Sequence, residues 1–156
     1  MQEHIDGFQT AGHRSLVEKI PETHCDLIDG HFVALTTLMP DGQRQITPVW
    51  CNRKDDCILI NIMKGFRREK NMRANPKVAV LVIDPKNSSR WIQVRGRVVE
   101  LTTEGAEAHA DKLTRRYCPG KEHFYRDIYP VEQKQKETRV IARIAPIKIS
   151  LDAIFG

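Results

Sequence analysis

The sequence predicts a mainly β fold with flanking helices, in which six antiparallel strands close into a small barrel. Apolar and β-branched runs recur six times, at residues 31–39, 43–52, 57–63, 77–84, 90–101 and 138–151, each bounded by turn residues or helical patterns. Two helical patterns interrupt the later runs, a short one in the middle and a longer one before the last strand. Closing the sheet also removes the long apolar edges that such strands otherwise expose.

Each element follows from local chemistry. Residues 12–28 carry Leu16, Val17, Ile20, Leu27 and Ile28 around Pro21, which gives one or two short helices. An N-terminal helical segment, 1–30, is therefore expected to pack on a barrel formed by 31–156, one domain overall. The first strand runs into Pro40-Asp41-Gly42, a turn tripeptide whose glycine accepts positive φ. The run 43–52 folds back on it, and after the polar turn 53–56 the run 57–63 completes a three-stranded meander. Gly65 and Asn75-Pro76 bound a helix of about nine residues. KVAVLVID, at 77–84, is the most strand-like run in the chain, and a loop at 85–89 leads to the fifth strand. There Trp91, Gln93, Arg95 and Arg97 alternate with Ile92, Val94 and Gly96, and Gly96 marks a bulge or bend. Thr103 is the candidate N-cap of a helix over 104–117, with Ala106, Ala110, Leu113 and Tyr117 on one stripe and Pro119-Gly120 as its stop. Residues 121–137 give an irregular helical stretch broken near Pro130, with Phe124, Ile128 and Val131 on one side.

Composition narrows the function. A chain of 156 residues, 40% apolar and 29% charged, fits one globular domain. No apolar run approaches the ~20 residues that span a bilayer, and no basic-then-apolar signal pattern opens the sequence, so a cytoplasmic protein is expected. A net charge of +5 suits an enzyme that takes anionic ligands. Nucleic-acid binding is not expected, because the basic residues lack interleaved aromatic ones for base stacking. Cys25, Cys51, Cys57 and Cys118 show neither C-x-x-C spacing nor a histidine at zinc-finger distance, which leaves them as buried or incidental thiols and predicts no metal site. His31 and His109 lack an adjacent nucleophile or carboxylate pattern, and no nucleophile elbow, P-loop or dinucleotide fingerprint is present, so no catalytic side chain is assigned.

Two constellations remain. Lys64, Arg67, Arg68, Lys70, Arg73 and Lys77 are opposed by Glu69 alone. Cations in a first helical turn oppose the dipole there, a conflict that a bound anion reverses, so Arg67 and Arg68 beside the free N–H groups after Gly65 form a candidate phosphate site. A solvated basic face is the plainer alternative. Pro48 and Trp50 on the second strand, with Trp91 on the fifth, are candidates for the walls of a slot for a flat ring.

The ordered segments ALTTLMPDGQRQITPVW, ILINIMKGFRREKNMRANPKVAVLVID, WIQVRGRVVEL and RRYCPG, followed by a last strand ending near APIKI, span residues 31 to about 149. Together they resemble the pyridoxamine-phosphate-oxidase-like group of flavin-binding split barrels, especially its coenzyme F420-dependent members. The resemblance implies a six-stranded antiparallel split β-barrel, and a homodimer with two cofactor sites at the subunit interface. It places the strand against the cofactor ring at Thr47, Pro48, Val49 and Trp50, and the strand leading to the phosphate at Ile60, Asn61 and Ile62. The phosphate-binding cations fall on Arg67 and Arg68, followed by Lys70 and Asn71; where deazaflavin members often read K-A-R-N, this chain reads Arg68-Glu69-Lys70-Asn71. Trp91 stands where flavin-type relatives often carry a cofactor-contacting glutamine. The implied function is hydride transfer between coenzyme F420 and a small unsaturated or carbonyl-type substrate. FMN on the same fold, or a non-catalytic flavin- or haem-binding module, are the alternatives, and pyridoxamine-phosphate oxidation itself is not expected without a matching C-terminal substrate signature.

Overall fold

The strand expected over residues 43–52 is broken at Trp50, and the architecture turns on that break. In the computed structural model, which describes residues 2–3 and 17–152, β1 (Gln2–Glu3) is a short strand, and β2 (Val33–Leu38) pairs with β3 (Arg44–Val49). Beyond Trp50, β4 (Cys51–Lys54) pairs instead with β5 (Cys57–Met63). With β6 (Lys77–Asp84), β7 (Asn87–Thr102) and β8 (Arg139–Leu151), the order is β3-β2-β6-β7-β8-β5-β4, antiparallel throughout, and β1 adds to β7. The two ends of the sheet, β3 and β4, are consecutive in the chain, so the sheet curls until its edges are joined by a single residue without a ladder between them. The result is a split barrel with seven strands on the path rather than six, and the expected meander becomes two hairpins at opposite edges.

Both hairpins have local causes. Gly42, at φ +87°, closes the β2–β3 turn through its N–H on the Met39 carbonyl (2.9 Å). Asp55 and Asp56 both take positive φ between β4 and β5 and form a primed turn that follows the strand twist. The bulge expected at Gly96 is present as a register shift between β7 and β8, and a Cβ there would lie 2.7 Å from Ile144 Cγ2. Alternate residues such as Val78, Val80 and Val82 of β6 fill one continuous core, and Ile20, Leu27 and Ile28 of the N-terminal segment join it. That segment holds one 3-10 turn, Glu22–His24, and α1 (Cys25–Ile28); the expected helical position Leu16 lies outside the described residues. All four cysteines are free, and among the described residues no helix is long and apolar enough to cross a membrane.

Helix α2 (Arg67–Ala74) fills the connection from β5 to β6. Helix α3 (Ala106–Tyr117) begins after Gly105 rather than at the expected Thr103 cap, and buries Ala106, Ala110 and Leu113. Its last residue, Tyr117, staples the seam. The Tyr117 hydroxyl donates to the His31 carbonyl (2.8 Å) and accepts the Cys51 N–H (3.1 Å), while its ring stacks on Trp50 at 5.2 Å with an interplanar angle of 6°. A second tie is polar. Buried His109 bonds Asn52 Oδ1 through Nε2 (2.7 Å), and its Nδ1 accepts from Asn61 Nδ2 (3.1 Å), so α3 grips β4 and β5 together. Burial, reinforced by the charges of Lys112 and Arg139, pushes the imidazole pKa down to about 4 and keeps it neutral.

Two consequences are measurable. Tyr117→Phe leaves the Cys51 N–H and the His31 carbonyl without their shared partner and is expected to cost about 1–3 kcal/mol in denaturant unfolding. Because the unfolded state takes up the His109 proton near pH 6.5 and the folded state does not until about pH 4, this group removes stability as pH falls across that window. The stability advantage of the natural protein over His109→Gln should therefore shrink by roughly 2–3 kcal/mol between those limits, read from paired melts.

Candidate functional site

The seam opens into a cleft of about 320 Å³. Pro48 and Val49 at the end of β3, and Trp50 at the break, form one flat apolar wall. It is flat because the Trp50 ring is held parallel to Tyr117. A second wall comes from the connection between α3 and β8, where Phe124, Ile128 and Tyr129 line the cleft. This stretch is irregular, as expected, and is pinned rather than loose: Asp111 accepts the Phe124 N–H (2.8 Å), and Asp127 accepts those of Glu122 (2.9 Å) and His123 (2.8 Å). The His123 and Glu122 amides hold the Asp127 carboxyl well below the usual carboxylate range. Arg126 is forced to φ +111°, a strained position for a residue with a side chain, beside this wall.

Two cations reach the cleft. Arg68, in the first turn of α2, donates to the neutral Thr47 hydroxyl on β3 (3.3 Å). Arg139, at the start of β8, donates from Nε to Asn61 Oδ1 (2.8 Å), and its guanidinium lies 4.5 Å from the Phe124 ring centroid. Burial pushes both pKa values down, and for Arg68 the charge of Arg139 adds to the effect. Neither guanidinium forms a salt bridge with a described carboxylate, and the nearby Glu137 carboxylate instead accepts the Tyr125 hydroxyl (2.7 Å). Half-buried, mutually repelling forks of this kind are a donor set for the oxygens of a phosphate or carboxylate, set against an apolar slot that accommodates a ring.

Of the residues expected at the site, Pro48, Val49, Trp50, Asn61 and Arg68 line this one cleft, with Thr47 behind Arg68. The others do not. Ile60 and Ile62 point into the barrel core, since strand alternation that turns Asn61 and Met63 to the cleft turns them away. Arg67 and Lys70 are exposed and line none of the cleft, and Asn71 is buried, its amide donating to Thr37 Oγ1 (3.0 Å) while its Oδ1 has no hydrogen-bond partner among the described residues. The N–H of Gly65 itself is taken from within, since Glu69 Oε2 accepts it (3.1 Å) while Oε1 accepts from Arg73 Nε (2.9 Å), and of the N–H groups expected after Gly65 as an anion seat, that of Phe66 donates to the Met63 carbonyl (3.3 Å). Trp91 sits on the outer face of β7 opposite Ile83, its backbone N–H donating to Asp152 Oδ1 (2.8 Å). Trp50 and Trp91 therefore do not wall one slot within a chain, because one stands at the seam and the other in the middle of the sheet. The residues that sequence reasoning missed are Arg139, Glu137 and the aromatic wall around Phe124. Among the described residues, no group of three or more His, Cys, Asp or Glu is placed to hold a metal.

Comparison with known proteins gives this geometry a context. Among solved structures, an F420 reductase is similar with a TM-score of 0.70 and 28% identity, over 84% of this chain and 98% of that one. A conserved hypothetical protein from Mycobacterium tuberculosis (TM-score 0.65, 21% identity, 88% and 87% covered) and an FAD-binding protein from Mesorhizobium loti (0.55, 23%, 86% and 95%) share the fold. A search of curated proteins found no match. The family model described as pyridoxamine 5'-phosphate oxidase matches residues 20–151, from the N-terminal segment to the end of β8. The chain belongs to the pyridoxamine 5'-phosphate oxidase family.

Proposed function

We propose that the cleft binds the deazaflavin coenzyme F420 and that the protein is an oxidoreductase acting on a small unsaturated or carbonyl-type substrate. The observation that carries this reading is Arg68, half-buried beside a flat apolar slot and hydrogen-bonded, among the described residues, to a neutral hydroxyl. The similarity to an F420 reductase over most of both chains supports the choice of cofactor. When bound, the deazaflavin supplies a ring carbon that carries a hydride. The chain's own part is placement: Pro48, Val49 and Trp50 set the plane of the ring, Arg68 with Thr47 takes the phosphate charge, and Phe124, Ile128 and Tyr129 exclude water. FMN is the second reading, favoured by the arginine fork at position 68 where deazaflavin relatives often carry lysine.

We also propose that two copies assemble through the outer face of β3, β2 and β6. Phe32 and Ile46 are each 66% exposed there, with Leu81 and Ile83 beside them, and Phe32 and Pro48 border both this face and the cleft. A second copy covers the apolar patch and completes the open side of the slot.

The visible spectrum of protein from a host that makes both cofactors separates deazaflavin, with one main band, from flavin, with two; a colourless protein that takes up neither cofactor on titration contradicts the proposal. Arg68→Ala should weaken the cofactor by about 10- to 150-fold in calorimetric titration. The empty variant should melt no lower than the natural protein, since it loses a desolvated, repelled cation. Light scattering should give twice 17.9 kDa, and Ile46→Lys with Leu81→Lys should yield monomers that bind cofactor poorly.

A further inference from the structure

The cleft holds two cations, and a cofactor phosphate on Arg68 engages one of them. Arg68 belongs with Thr47 and the wall formed by β3 and Trp50. Arg139 belongs with Phe124 on the other wall. Resting on the cofactor reading above, we propose that Arg139 is a substrate-binding residue and that the substrate is a small, flat, unsaturated acid whose carboxylate it takes.

Arg139 is oriented by neutral groups, without a salt bridge to a described carboxylate. Its Nε is held by Asn61 Oδ1 (2.8 Å), and the Asn61 amide is fixed in turn by the Ala106 carbonyl (2.8 Å) and His109 Nδ1 (3.1 Å). His109 is anchored on Asn52 (2.7 Å). Every member of this chain is uncharged, since burial keeps His109 neutral, so these four residues aim the guanidinium without adding a charge of their own. The Glu137 carboxylate accepts the Tyr125 hydroxyl (2.7 Å) and attracts Arg139 without forming a salt bridge with it. Asn61 occupies the Nε donor and the Tyr125 oxygen interacts with the guanidinium, so a carboxylate takes the remaining terminal N–H groups, a geometry that arginine offers and lysine lacks. The surroundings specify the rest of the ligand. Phe124, Ile128 and Tyr129 form an apolar and aromatic wall that suits a flat hydrocarbon body, and a cleft of about 320 Å³ shared with a cofactor ring leaves room for a small one. Two repelling cations are relieved by two anions, the cofactor's phosphate and the substrate's carboxylate.

The test uses trans-cinnamate as probe and its neutral amide as control, titrated into the cofactor-loaded protein and followed by the cofactor's spectrum and by calorimetry. Cinnamate should bind at least about tenfold more tightly than cinnamamide, Arg139→Gln should abolish that preference, and Arg139→Lys should restore part of it. Cofactor affinity of Arg139→Gln, titrated separately, should stay within about threefold of the natural protein, unlike that of Arg68→Ala. Equal binding of acid and amide by the natural protein overturns the proposal, and this comparison needs no variant to fold. Loss of cofactor by Arg139→Gln as heavy as that of Arg68→Ala also overturns it, by making Arg139 part of the phosphate seat. If no cofactor binds, the same titrations followed by tryptophan fluorescence still decide: an acid preference that depends on Arg139 supports the carboxylate site while the cofactor reading fails.

Discussion

The chain passes from one edge of the sheet to the other at Trp50, and the Tyr117 hydroxyl holds that crossing. Everything at the site depends on it. A continuous strand over 43–52 would pair along its length and use its N–H and C=O groups in the ladder. Because the ladder stops, the N–H of Cys51 and the carbonyl of His31 need another partner, and one phenol supplies it (3.1 and 2.8 Å). The same residue lays its ring against Trp50, so the group that satisfies the backbone also sets the plane of the cleft wall. Helix α3 is thereby fixed at its C-terminal end by Tyr117 and nearer its start by His109, and the gap between the sheet edges stays open as a slot.

Electrostatics inside the slot run against stability. Two guanidiniums are partly desolvated and close enough to repel, without a salt bridge to offset either. Three other arginines are paired with carboxylates: Arg73 with Glu69, Arg53 with Asp29 (2.8 Å), Arg90 with Asp84 (3.1 Å). Neutral amides, an imidazole and a hydroxyl position these two cations, a pattern that keeps their charge available to a ligand.

Much of the fold was legible because strand period and turn chemistry are local. The turn at Gly42, the bulge at Gly96 and the buried stripe of α3 all follow from residues within a few positions of one another. The break at Trp50 was not, since 43–52 carries no glycine and its only proline, Pro48, lies inside β3; the break is imposed by partners 19 and 67 residues away, His31 and Tyr117. For the site, Pro48 to Trp50, Asn61 and Arg68 were readable from order and charge. Reading Ile60 and Ile62 with Asn61 as one segment overlooks the alternation that separates them, and neither the aromatic character of Trp91 nor its place in the family pattern brings it to the cleft that Trp50 lines. Arg139 was invisible as a site residue because its alignment depends on Asn61 and His109, 78 and 30 positions earlier.

The central claim is that the seam is a seat for a flat cofactor whose charged end rests on Arg68. The most direct measurement is a crystal structure of the protein with the cofactor that accompanies it on purification. The account predicts the ring against Pro48, Val49 and Trp50, with phosphate oxygens in hydrogen-bond reach of the Arg68 guanidinium. A cofactor bound elsewhere, or one whose phosphate leaves Arg68 untouched, contradicts it.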